Sequence, residues 1–110
     1  MGLEIAFLSK ELRATCESPT RAKRELGTEA SSVLRRHLAD MEAVDTAAEL
    51  IEMGLGTENC AEERGMLRLH LADGMLLHCK VNHQSVPMNG KTVDWTKVTR
   101  LKVTRIGRGE

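Results

Sequence analysis

Six basic or imidazole side chains stand at alternate positions in the second half of the chain: Arg68 and His70, His78 and Lys80, Arg100 and Lys102. In a strand, alternate side chains share one face. If the three segments are neighbouring strands, these residues form a band of cations with two imidazoles among them. Surface cations bind phosphate with an affinity that falls as salt rises. Contacts to a phosphate backbone fix position without reading sequence. Histidine adds proton transfer near neutral pH. His70 and His78 are therefore the candidate catalytic residues. Arg68, Lys80, Arg100 and Lys102, with Arg105 and Arg108 further along, are the candidate phosphate-binding residues. The plainer alternative is a pair of half-exposed strand histidines with no chemical task.

Other reactive side chains fit chemistry less well. His78 and Cys79 are adjacent on a strand, so they point to opposite faces and do not share one metal with His83. Cys60 and His70 add no standard zinc spacing. No metal site and no cofactor is expected. Cys79 falls among inward residues and reads as a small core hydrophobe rather than a nucleophile. His37, on the longest helix, reads as a boundary residue. Trp95 reads as an anchor for its loop rather than a base-stacking platform.

The elements that position these residues follow from periodicity. Leu3, Ile5 and Phe7 alternate with Glu4 and Ala6, which predicts a first strand. Ser9 caps a short helix to about Cys16. Ser18 and Pro19 start a second helix, which Gly27 ends. Thr28 opens the longest helix, with Ala30, Val33, Leu34, Leu38, Met41 and Val44 as its apolar stripe. Thr46 and Glu49 form a capping-box pattern for a fourth helix, closed by Gly54 and Gly56. Residues 54–65 read as loop. Then the period changes to two: Leu67, Leu69 and Leu71, a turn at Ala72-Asp73-Gly74, and Leu77, Cys79 and Val81 form a hairpin. A three-residue connection with Gly74 left-handed keeps the leucines of both strands on one face. A two-residue turn would slip the register by one. Residues 82–97 read as a long polar loop. Val98–Ile106 forms the last strand, with Leu101 and Val103 inward, and 107–110 a tail.

Composition narrows the possibilities. The chain has 110 residues, enough for one core, with 41% hydrophobic and 29% charged residues, an ordinary globular balance. Phe7 and Trp95 are its aromatic residues, which argues against nucleic-acid binding by base stacking. Formal net charge is zero, yet residues 1–64 carry 8 basic and 13 acidic side chains, and residues 65–110 carry 8 and 3. A basic half suits a polyanion or an acidic partner; a solvated face balanced by acidic helices is the alternative. Three scattered cysteines point to reduced thiols in a cytoplasm. Neither a signal peptide nor a membrane span is expected.

The order of strand, helices, hairpin, loop and last strand resembles the RelE/ParE toxin superfamily, and within it the HigB-like (plasmid maintenance killer) branch. The run Val93-Asp94-Trp95-Thr96-Lys97-Val98-Thr99 is similar to the Asp-Trp-Ser/Thr-Lys-Val-Thr run that precedes the last strand there. Ser9-Lys10-Glu11-Leu12 after the first strand and Gly65 before the hairpin also look like that branch. The resemblance implies an α+β, RelE-like fold spanning 1–110, with an N-terminal strand and helices packed on one face of a small antiparallel sheet. It implies the toxin of a type II toxin–antitoxin pair, a ribosome-dependent mRNA interferase. Such an endoribonuclease uses no metal, works on the ribosome and mRNA, and is neutralised by a cognate antitoxin protein. Basic residues on the open sheet face would bind the RNA backbone, and an acid–base residue would assist attack of the ribose 2′-hydroxyl. Three stretches differ from the family pattern. Leu76 stands where an arginine is expected, Arg108-Gly109-Glu110 where Asp-Tyr-His is expected, and Ala61-Glu62-Glu63-Arg64 where a basic run is expected. These differences motivate the alternative of a catalytically degenerate module that binds an antitoxin-like protein or nucleic acid without cleaving RNA. A gyrase-directed toxin of the ParE branch is a third possibility.

Overall fold

The last α-helix ends at Glu52, and from Gly56 onward the described chain is mostly strand. The computed structural model describes residues 2–59 and 65–108, with backbone alone at 57–59 and 108. Strand β1 (Glu4–Phe7) is followed by helices α1 (Lys10–Glu17), α2 (Pro19–Leu26), α3 (Thr28–Ala43) and α4 (Ala47–Glu52). Strands β2 (Gly56–Asn59), β3 (Met66–His70) and β4 (Met75–Val81) come next. A small hairpin of β5 (Met88–Asn89) and β6 (Thr92–Val93), a 3-10 turn (Trp95–Lys97) and β7 (Arg100–Arg108) complete the chain.

The helices start and stop where local chemistry requires. The Ser9 hydroxyl accepts from the Leu12 N–H at 3.2 Å, and the Ser18 hydroxyl from the Arg21 N–H at 3.2 Å. Each satisfies one of the donors left over at a helix start. Pro19 takes the first position of α2, where its missing N–H is no loss. At α4 the Glu49 carboxylate reaches back to the N–H groups of Thr46 and Asp45.

Five strands form one mixed sheet in the order β1-β7-β4-β3-β2. An all-antiparallel sheet is therefore not what forms: β1 runs parallel to β7, with Ile5 opposite Leu101 and Phe7 opposite Val103. The chain between them, which holds the four helices and strands β2 to β6, supplies the long connection that a parallel pair needs. The predicted loops also hold more structure than polarity suggests. Gly56–Asn59 pairs with β3, and residues 60–64, including Cys60 and the acidic Ala61–Arg64 run, lie outside the described residues. Within 82–97 the β5–β6 hairpin turns at Gly90, whose φ is 68°.

The β3–β4 hairpin takes the expected register, with Leu67 opposite Cys79 and Leu69 opposite Leu77. At its turn both Asp73 (φ 56°) and Gly74 (φ 79°) are left-handed, not Gly74 alone. The Met75 N–H bonds to Ala72 and the Leu71 N–H to Met75. Ala72 is thus an extra residue beside a two-residue turn, and the leucine face stays intact. Gly65, before β3, has φ 80°, and a Cβ there would lie 3.2 Å from the Val81 side chain. A side chain would have to fit both a left-handed backbone and that contact.

The core fills the helix-facing side of the sheet. Leu67, Leu69, Leu77, Cys79, Leu101 and Val103 meet Leu34, Met41 and Leu50 there, all of them at most 1% exposed. Trp95 joins this cluster and anchors its loop, as expected. His37 corrects the reading of α3. It is 8% exposed, within the buried face with Ala30, Leu34 and Met41, and is not a boundary residue. Its Nε2–H donates to the His70 carbonyl at 2.6 Å, joining α3 to the end of β3.

Candidate functional site

With the leucines turned inward, the opposite face of β3, β4 and β7 presents the chemistry. Three cross-strand rows follow from the register. Met66, Lys80 and Lys102 form the first, and Arg68, His78 and Arg105 the second. His70, Leu76 and Gly107 form the third. Strands lie ~4.8 Å apart and alternate residues ~6.7 Å apart along a strand. Arg68, Lys80, Lys102 and Arg105 therefore fit a patch roughly 10 Å by 7 Å at the Cα level.

Arg105 reaches this face because of an irregularity. Cys79 pairs with Val103 and His78 with Arg105, so Thr104 is an extra residue in β7. The Thr104 hydroxyl donates to the His78 carbonyl at 3.2 Å, fixing the bulge. Strict alternation from Leu101 and Val103 would turn Arg105 inward. The extra residue turns it outward and brings Ile106 opposite Leu77. The apolar spacing of β7, two residues from 101 to 103 and three from 103 to 106, is the sequence signal that could have revealed the bulge.

His78 sits at the centre of the second row and is 7% exposed. An Arg105 Nη2 lies 3.1 Å from its Nε2. A guanidinium has only donors, so Nε2 must accept and the ring carries its proton on Nδ1. Burial lowers the His78 pKa below its ordinary value, as do the charges of Arg105 and Arg68; a hydrogen bond with the Gly107 backbone acts the other way. The imidazole is therefore neutral at pH 7, with one lone pair already engaged. His70 is different. Its ring is exposed, while its backbone is fixed by His37.

The cations differ in how they are held. Among the described residues, Arg68, Lys80 and Lys102 take part in no ion pair. Lys80 and Lys102 stand directly opposite one another, an arrangement of like charges that destabilises a sheet. Arg100 belongs elsewhere. It lies one residue pair beyond Lys102, beside β1, and its Nε bonds the Glu4 carboxylate at 2.7 Å. Arg108 closes β7 opposite Met75, and its side chain is outside the described residues. The structure thus brings together Arg68, His78, Lys80, Lys102 and Arg105, with His70 at one end, and leaves Arg100 at the margin. Sequence reading missed Thr104, Gly107 and His37, which shape this face from behind or beside it.

The remaining reactive groups lie apart from the face. Cys79 is fully buried with its thiol pKa pushed up to about 12, mainly by burial. His83 accepts from the Thr99 N–H through Nε2 at 3.1 Å. Among the described residues no group of three or more His, Cys, Asp or Glu side chains is placed to hold a metal ion. No helix formed by them is long and apolar enough to cross a membrane. A groove of about 630 Å³ is lined by Ile5, Phe7, Arg13, Cys16 and Leu38 among others, on β1, α1 and α3.

What the fold and face define is an α+β domain with a cationic open sheet surface. No family model matches the chain, and no curated protein and no solved structure matches it.

Proposed function

We propose that this protein is an RNA-directed toxin of the RelE/HigB kind, a ribosome-dependent mRNA interferase of the cytoplasm neutralised by a cognate antitoxin. The observation that carries the reading is the placing of Lys80 against Lys102, with Arg68 in the next row, three cations that take part in no ion pair among the described residues. Folding alone gives no reason to set Lys80 against Lys102. A bound phosphate backbone would offset the repulsion among Lys80, Lys102 and Arg68.

In this reading Arg68, Lys80, Lys102 and Arg105 hold consecutive phosphates of mRNA. His70, whose ring is exposed at the end of the patch, is the proton-transfer residue. Its neutral imidazole takes the proton from a ribose 2′-hydroxyl. The 2′-oxygen attacks the neighbouring phosphorus and the P–O5′ bond breaks. The leaving oxygen receives a proton from the imidazolium so formed. A 2′,3′-cyclic phosphate and a 5′-hydroxyl result, with no water or metal consumed. Backbone contacts do not select sequence, so the choice of cleavage site would fall to the ribosome.

Induced expression tests this reading. Wild type should arrest growth and translation, and Arg68→Ala combined with Lys80→Ala should relieve the arrest. Arrest that persists unchanged in the double variant refutes the site. A second reading, a degenerate module that binds RNA or an antitoxin-like protein without cleavage, is favoured by one observation. Leu76, 5% exposed, occupies the row beside His70 where the resemblance leads one to expect an arginine. Under it, expression leaves growth unaffected while RNA or a partner protein still co-purifies.

A further inference from the structure

We propose that His78 is a positioning residue that holds the Arg105 guanidinium over the open sheet face, where it meets a phosphate oxygen of a bound RNA strand. The ligand in this statement rests on the RNA-directed reading; the pairing of the two side chains does not.

Three features of the structure converge on this pair. The bulge at Thr104 turns Arg105 to the face that His78 occupies, and it is pinned by a hydrogen bond to His78's own carbonyl. The guanidinium then spans from the His78 ring to Gly107. Nη2 is 3.1 Å from His78 Nε2, and Nη1 is 3.6 Å from where a Cβ on Gly107 would stand. That is an ordinary contact distance, so the guanidinium lies alongside residue 107. Finally, the ring is 7% exposed while Arg105 is exposed, so His78 is the fixed partner and Arg105 the one presented to solvent.

The chemistry explains why an imidazole suits the task. Arginine has five donors and no acceptor, so a side chain that orients it must offer a lone pair. A carboxylate would do so but would cancel the charge that attracts phosphate. A neutral imidazole offers the lone pair without adding a negative charge of its own. An unrestrained arginine would have to lose rotamer freedom when an anion arrives, whereas one already held loses less. His78 therefore acts through Arg105, and His70 remains the imidazole available for proton transfer.

The test uses the full chain and an uncleavable probe, a single-stranded RNA oligonucleotide with 2′-O-methyl riboses. Arg105→Ala should weaken binding about tenfold and reduce the salt slope by about one. His78→Ala should weaken binding by a similar factor. The double variant should be no weaker than Arg105→Ala alone, because both changes remove one unit. His78→Gln, whose amide oxygen can accept the same bond, should restore most of the affinity. Additive losses, or unchanged binding in His78→Ala, overturn the proposal. Nitrogen NMR of the His78 ring gives a second decision that needs no RNA. Nε2 should be the unprotonated nitrogen at neutral pH, and Arg105→Ala should raise the ring's pKa. A ring protonated at Nε2, or one indifferent to Arg105→Ala, overturns it. If wild type binds no RNA, the proposed function fails, and the ring measurement still decides the pairing.

Discussion

The two faces of the five-stranded sheet follow different rules. On the helix-facing side Leu67, Leu69, Leu77, Leu101 and Val103 are wholly buried, and what matters is volume. On the open side Arg68, Lys80 and Lys102 remain part-exposed, and what matters is charge. The first face is optimised for folding, since close-packed apolar side chains support one another. The second sets like charges together at some expense in stability. A fold keeps such an arrangement most readily when something outside the chain uses it.

The largest effect should come from opening a cavity on the inner face. Leu69→Ala or Leu77→Ala should lower unfolding free energy by about 3 kcal/mol, read from urea midpoints, without changing RNA affinity per folded molecule. A loss below about 1 kcal/mol would show that this face is not packed as described. The outer face should answer in the opposite way. Arg68→Ala with Lys80→Ala should weaken RNA binding roughly thirtyfold and reduce the salt slope by about two, while stability stays within about 0.5 kcal/mol or rises.

His37 tests the joint between the faces. His37→Leu removes the donor to the His70 carbonyl, and stability should fall by about 1–2 kcal/mol. Under the proposed function, RNA cleavage through His70 should fall with it, measured per folded molecule. Unchanged cleavage would show that β3 keeps its end without help from α3.

His78 adds a pH dependence whose sign is set by its environment. Its pKa is lowered in the folded chain by burial and by the neighbouring Arg105 and Arg68 charges. The unfolded chain therefore binds the proton more readily. Stability from this group is complete above the ordinary histidine range and declines as pH falls below about 6.5. Urea midpoints of wild type should fall more steeply than those of His78→Gln over that acid range; parallel slopes would contradict the assigned environment. The smallest effect belongs to Arg100→Ala. It breaks an exposed pair with Glu4, so stability should change by less than about 0.5 kcal/mol. RNA affinity should hardly move, and a loss equal to that of Arg68→Ala would extend the binding face to the β1 edge.

Much of the fold was legible because hydrophobic period is a local property. The helix stripe of α3, the caps at Ser9 and Ser18, and the leucine face of the β3–β4 hairpin each follow from a few neighbouring residues. The placement of Arg68, His70, His78 and Lys80 on the far side of that hairpin was legible for the same reason: two faces alternate, so knowing one gives the other. His37 was misjudged because a polar side chain on an apolar stripe reads as a boundary. Its burial depends on the His70 carbonyl lying within 2.6 Å, a partner 33 residues away.

The sequence by itself determined that helices precede a sheet and that cations gather on one side of its hairpin. Only the tertiary structure decided that β1 lies parallel beside β7, that Gly56–Asn59 becomes an edge strand, and that Thr104 bulges. These are matters of pairing between distant segments, settled by which neighbour is at hand to receive each backbone hydrogen bond. Arg105 shows the consequence: its own strand's alternation points it inward, and the register against β4 turns it out to His78.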